Sequence, residues 1–211
     1  MTHFTRRFFL TALAIFTTCG FLAAATPARA EVTVGQDAPN FTLESVNGDT
    51  VALSQYAGKI VVLEWTNHQC PYVRKHYGSG NMQALQKEAT DAGVIWLSIV
   101  SSAPGMEGYV TPEEGQMVVQ KAGAHATARL LDPDGTVGRL YGAKTTPHMF
   151  VIGTDGKIAY MGAIDNMPSA NPKTLAGATN YVRNALHALE NGSPVSPSET
   201  RPYGCSVKYE L

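Results

Sequence analysis

The chain has no run of Lys or Arg beyond its first residues. Its formal net charge is −1, from 16 basic and 17 acidic residues. That balance argues against a nucleic-acid binder, which needs a basic patch. No internal repeat and no low-complexity tract occurs, so solenoids and arrays are excluded. Cysteine is scarce, with Cys19, Cys70 and Cys205 the three in 211 residues. The longest apolar stretch, Phe8 to Ala25, is short for a membrane span, so no permanent membrane anchor is expected.

That stretch reads as part of a signal peptide over residues 1–30. Arg6-Arg7 supplies the charged start, and Ala28-Arg29-Ala30 ends a small-residue cleavage pattern before Glu31. Thr5-Arg6-Arg7-Phe8-Phe9-Leu10 also resembles the twin-arginine export signal, which leaves both export routes open. Cys19 falls in the discarded part. The expected location is the periplasm or the exterior. Residues 31–190 are long enough for one domain with a full core, and residues 191–211 form a tail carrying Cys205. Export implies an oxidising compartment, where Cys70 and Cys205 can persist as a disulfide.

The concentrated chemical signal is Cys70. Lys59 to Trp65 reads as a buried strand, Thr66 to Gln69 as a turn, and Cys70-Pro71-Tyr72-Val73 as a helix start. A thiol there sits beside unpaired N–H groups at the positive end of the helix dipole, and both favour the thiolate. Pro71 suits the first helical position, where its missing N–H costs nothing. The alternative is a buried, inert cysteine.

Phe41 to Leu53 reads as a hairpin turning at Asn47-Gly48, which supplies positive φ. Helix is expected from Pro71 to Asp91 with a break near Gly78-Ser79-Gly80. Val94 to Val100 has the continuous apolar pattern of a strand covered on both faces. Thr111-Pro112-Glu113-Glu114 opens another helix, and Val137 to Tyr141 a short one. His148–Ile152 and Lys157–Met161 form a second hairpin. Leu175, Ala178, Val182, Ala185, Leu186 and Leu189 share one helical face. The proline-rich end, with Pro194, Pro197 and Pro202, should wrap the surface without regular structure. Alternating strands and helices closing on a hairpin indicate an α/β sheet covered on both faces.

Gly35-Gln-Asp-Ala-Pro39-Asn-Phe41, Gly58-Lys59, Cys70-Pro71, Thr146-Pro147 and Asp155-Gly156-Lys157 resemble the thioredoxin-like redoxins, spanning roughly Val34 to Leu189. Within these the chain is most similar to the alkyl hydroperoxide reductase/thiol-specific antioxidant family, in a peroxiredoxin-like group that keeps one cysteine of the thioredoxin Cys-x-x-Cys. The resemblance implies a three-layer sandwich, with a central mixed sheet, helices on both faces, an N-terminal hairpin extension and an irregular C-terminal tail. It implies that Pro147 is a cis-proline packed beside the active thiol, with the backbone at Thr146 and Pro147 pairing a substrate chain as an added strand. It implies that Glu64 is a buried carboxylate relaying protons, although an edge position or a Lys salt bridge stays open. Two departures stand out. Val73 replaces the second thiol, so resolution within the motif is impossible. Leu63 and Asn67 occupy the places where peroxiredoxins carry the Pro and Thr/Ser that orient peroxide.

Trp65, Pro71 and Tyr72 are expected as walls of the site, with plain core an alternative for Trp65. His68 and His76 flank Cys70 as exposed turn residues. The alternatives are a base tuning the thiolate, or a copper or zinc site with Cys70. Leftover cysteines in exported proteins usually pair. The stretch from Asn191 to Cys205 can extend about 50 Å at about 3.3 Å per residue, against a globule about 40 Å across. The tail thus reaches Cys70, to resolve it or to staple the fold by up to about 5 kcal/mol. An intermolecular disulfide is the remaining option. The chain reads as an exported thiol-disulfide oxidoreductase or peroxiredoxin-like antioxidant without cofactor. Its partners are a thiol or disulfide protein, a reductant, and a peroxide as candidate substrate. The other reading is a copper- or client-binding module on the same scaffold.

Overall fold

A computed structural model describes residues 1–3 and 32–210. The segment expected to be a signal peptide, apart from its first three positions, lies outside the described residues, as does Cys19. Among the described residues no helix is long and apolar enough to cross a membrane.

The strands are β1 (Thr42–Ser45), β2 (Thr50–Ala52), β3 (Val61–Trp65), β4 (Ile95–Val100), β5 (Ala128–Leu131), β6 (Thr145–Thr146), β7 (His148–Ile152), β8 (Ile158–Gly162) and β9 (Cys205–Ser206). The helices are α1 (Pro71–Gly78), α2 (Asn81–Asp91), α3 (Pro112–Ala122), α4 (Thr136–Tyr141) and α5 (Tyr181–Glu190). Seven strands form one mixed sheet in the order β2-β1-β5-β4-β3-β7-β8. β3, β4 and β5 run parallel, and the outer pairs run antiparallel.

Burial of the central strands on both faces explains their unbroken apolar sequences. Val61, Leu63 and Trp65 point to one face, where α4 packs with Leu97, Ile99 and Phe150. Val62, Trp96, Met149 and Val151 point to the other, under Met82 and Leu85 of α2 and Val182 and Leu186 of α5. Helices on both sides of a mixed sheet give the three layers anticipated.

The long helix breaks where expected, between α1 and α2, with Gly80 at φ +77° turning the chain. At α3, Thr111 Oγ1 accepts the Glu114 N–H and Glu114 Oε2 accepts the Thr111 N–H, so the cap is reciprocal. The last helix starts later than its apolar periodicity suggests. The Asn180 side chain caps it by accepting from the Arg183 N–H at 2.9 Å, which leaves Leu175 in a separate 3₁₀ turn and Ala178 in the link. The tail also departs from a wholly irregular course. Cys205–Ser206 pairs antiparallel with Thr145–Thr146, because the residues after Pro202 include no further proline and keep their N–H donors for a ladder.

Candidate functional site

Five buried residues of β3 end at Trp65, and the chain turns through Thr66–Gln69 to place Cys70 at the N-cap of α1. The Thr66 N–H donates to the Ile99 carbonyl, and the Cys70 N–H to the Asn67 carbonyl. Asn67 fixes the turn further. Its Oδ1 accepts the Gln69 N–H at 2.8 Å, and its Nδ2 donates to Glu107 in the facing loop. Pro71 occupies the first helical position and is exposed. The Cys70 carbonyl accepts the Arg74 N–H, closing the first turn.

Cys70 is fully buried. Its Sγ donates to the Thr146 carbonyl at 3.1 Å and lies 2.6 Å from Cys205 Sγ. Burial pushes the Cys70 thiol up, but hydrogen bonds from the Cys205 side chain and from backbone at Val73 and Cys205 outweigh it, and the net shift is downward. The Cys205 thiol moves the opposite way, pushed up to about 12 by burial and by the neighbouring Cys70 sulfur. The pair therefore divides into a sulfur favoured as thiolate and a sulfur that keeps its proton.

The Thr146–Pro147 peptide is cis. Thr146 faces Cys205 in the β6–β9 register. Gly204 makes that approach possible: its φ is +146°, and a Cβ there would stand 2.1 Å from the Thr146 carbonyl oxygen. The tail is fastened on either side. Before Cys205, the Tyr203 hydroxyl donates to Asp165, whose other oxygen binds Lys75 Nζ at 3.2 Å. Lys75 also donates to the Met167 carbonyl and lies 5.5 Å from the Tyr203 ring centroid. After it, the Val207 N–H reaches the Lys144 carbonyl and the Tyr209 hydroxyl the Ala143 carbonyl.

Cys70, Cys205, Thr146, Pro147, Pro71 and Tyr72 thus gather at one place, Tyr72 edge-on to Tyr203 at 5.9 Å. Trp65 does not join them. Its ring is buried against Tyr141 and Phe150, with Nε1 on Ser101 Oγ, so the wall expected there is core. The alternation of β3 points Trp65 away from α1.

Glu64 is buried, which sets aside the edge reading. Its oxygens accept from Tyr77 Oη, Gln86 Nε2 and Trp96 Nε1. Burial pushes its carboxyl up, against those bonds and the Arg129 charge. Neither sulfur is among its hydrogen-bond partners.

His76 is the opposite of an exposed turn residue: it is fully buried, with Nδ1 2.8 Å from Asn81 Nδ2. Burial holds its pKa down at about 4. His68 is half-buried and also shifted down, by burial and then by Arg129. The copper or zinc arrangement of Cys70, His68 and His76 is not assembled. Among the described residues no three His, Cys, Asp or Glu side chains converge to hold an ion.

The latch of Lys75, Asp165 and Tyr203 escaped the sequence reading. A lone Asp after the apolar run of β8, and a Tyr two places before Cys205, were its only traces.

Thiol-disulfide oxidoreductase ResA of Bacillus subtilis (strain 168) is 25% identical over 130 residues, covering 62% of this chain and 67% of that one. The crystal structure of an uncharacterized conserved protein from Geobacillus kaustophilus superposes with a TM-score of 0.72 at 25% identity, covering 84% of this chain and 93% of the other. That of a hypothetical protein from Sinorhizobium meliloti 1021 gives 0.70 at 23% identity, covering 86% and 97%. The sequence model of the AhpC/TSA family matches residues 34–161, which carry the sheet, the Cys70 helix and the cis-proline loop. The chain belongs to the AhpC/TSA family, built on a thioredoxin-like α/β fold.

Proposed function

We propose that the protein is an exported thiol-disulfide oxidoreductase acting on a thiol or disulfide protein partner. The observation that carries this reading is the contact of two sulfurs across the cis-proline loop, one shifted towards thiolate and the other kept protonated. The similarity to thiol-disulfide oxidoreductase ResA of Bacillus subtilis supports it.

In the reductive direction the Cys70 thiolate attacks one sulfur of a partner disulfide. A mixed disulfide forms, and the partner's other sulfur leaves as thiolate. Cys205, losing its proton to solvent or to that thiolate, then attacks Cys70 Sγ and releases the second partner sulfur. The partner gains two electrons, and the protein is left with a Cys70–Cys205 disulfide that an external dithiol reduces. Because Cys70 is fully buried beneath the tail, entry requires β9 to leave β6, and the freed Thr145–Thr146 edge can then pair with the partner's backbone. Leu63 and Asn67 stand where peroxiredoxins orient peroxide, so disulfides are the favoured substrates over peroxides. The first thirty residues act as the export signal in this reading.

The test is mass spectrometry of thiol state during turnover with a disulfide substrate. Cys70→Ser should abolish activity, and Cys205→Ser should accumulate a mixed disulfide at Cys70. If Cys205→Ser turns over normally and traps nothing, the two-sulfur mechanism fails.

A further inference from the structure

A cavity of about 520 Å³ lies on the far side of the turn before Cys70, and the thiol does not line it. Its floor is Arg129 of β5. One wall is α1 with the buried Val73 and the exposed Arg74, and another is the end of α3 with Val118 and Lys121. Gln83 of α2 closes the back.

The sheet register explains the floor. Glu64, Ser98 and Arg129 are consecutive cross-strand neighbours on one face of β3, β4 and β5. Ser98 sets the two backbones two strand spacings apart, about 9–10 Å; the Arg129 and Glu64 charges act on each other, but Arg129 is not among the hydrogen-bond donors to Glu64. Glu64 is already engaged by Tyr77, Gln86 and Trp96. Arg129 is 5% exposed, and its Nε and Nη2 have no hydrogen-bond partner. A buried guanidinium with open donors favours an anion.

Other buried atoms lining the same cavity also lack partners: Thr66 Oγ1, His68 Nδ1 and Gln83 Oε1. The Gln83 orientation is set by its amide nitrogen, which donates to the carbonyls of Tyr77 at 2.8 Å and Ala122 at 2.7 Å. Its oxygen is thereby left as an acceptor. Arg74 and Lys121 add positive charge at the rim, and Val73, Val118 and Ala122 supply an apolar lining. The space suits a small organic molecule better than an inorganic ion.

We propose that this cavity binds a small organic carboxylate, held by the Arg129 guanidinium through its carboxylate and by Gln83 Oε1 through a hydroxyl or amino group. The site stands apart from the thiol chemistry and does not depend on it.

Titration calorimetry of the whole protein with 3-hydroxybutyrate, butyrate and inorganic phosphate tests this. Saturable binding is expected in the order 3-hydroxybutyrate, butyrate, phosphate, from tightest to weakest. Arg129→Met should weaken 3-hydroxybutyrate by about tenfold or more, and Gln83→Leu should erase its advantage over butyrate. Should Arg129→Met not fold, the exposed pair Lys121→Gln and Arg74→Gln should together weaken binding severalfold. No saturable binding of either carboxylate up to about 10 mM would overturn the site. Tighter phosphate binding, or affinity unchanged by the charge substitutions, would overturn it equally.

Discussion

Thr146 stands opposite Cys205 in the β6–β9 register, and the same residue's carbonyl accepts the Cys70 Sγ–H at 3.1 Å. One residue therefore holds both the strand edge and the thiol. Lifting the tail uncovers the two together, which couples access to the sulfur with access to the pairing edge. Under the proposed mechanism the tail seats its own backbone where a partner's would pair.

The Cys70 shift is set partly by Cys205. The pH profile of iodoacetamide modification at Cys70 should accordingly have its midpoint below that of an ordinary cysteine. In Cys205→Ala the hydrogen bond is gone, so the midpoint should move up even though the sulfur becomes easier to reach. A midpoint unchanged by that substitution would show that Cys205 does not favour the thiolate.

Gly204→Ala places a methyl group against the Thr146 carbonyl at a φ that side chains rarely adopt. The tail cannot keep its approach, so the yield of Cys70–Cys205 disulfide under a mild oxidant should fall severalfold. The fold should survive, since the fully buried members of both core clusters come from before the tail, which adds only partly buried residues such as Tyr203 and Val207 at their edges. Peptide mapping after oxidation, beside a thermal melt of the same sample, separates the two effects.

The same latch shows what could be read from the chain and what could not. Strand alternation, the capped start of α3 and the N-cap position of Cys70 are local, and their residues announce them. Chain length also sufficed to bring Cys205 within reach of Cys70. The partners of Glu64 could not be read, because Tyr77, Gln86 and Trp96 come from three different elements whose side chains meet only after the sheet forms. His76 misled for a related reason. It sits on the inner face of α1, a face whose direction depends on where α2 and the Asp165 segment pack. Trp65 is aromatic and next to the active turn, yet strand parity alone sends it to the opposite side.

Tyr203→Phe removes the hydroxyl that joins the tail to Asp165 and Lys75. Lys75 keeps Asp165 and the Met167 carbonyl, so the buried ion pair is left intact but short of one partner. A cost of about 1–3 kcal/mol is expected. Because the tail loosens first, Cys70 alkylation in native protein should speed up more than global unfolding does. Equal changes in both would mean that the tail opens only when the whole domain does.

His148, 2% exposed, gives a pH signature of its own. Burial, then the nearby Lys144 charge, hold its pKa at about 3, against 6.5 for an unperturbed imidazole. Above pH 6.5 the ring is neutral in both folded and unfolded chains, and its full contribution is present. As pH falls from 6.5 towards 3, the unfolded chain takes up a proton that the native one refuses, so stability declines by up to about 1.4 kcal/mol per unit. Glu64 and Asp132, both shifted up by burial, bind protons more readily when folded and oppose this trend. The diagnostic quantity is thus the difference between wild type and His148→Gln in urea denaturation at stepped pH. The variant should lose less stability on acidification over that window and match the wild-type trend above pH 7. Parallel curves would place the His148 proton on the native protein as readily as on the unfolded chain.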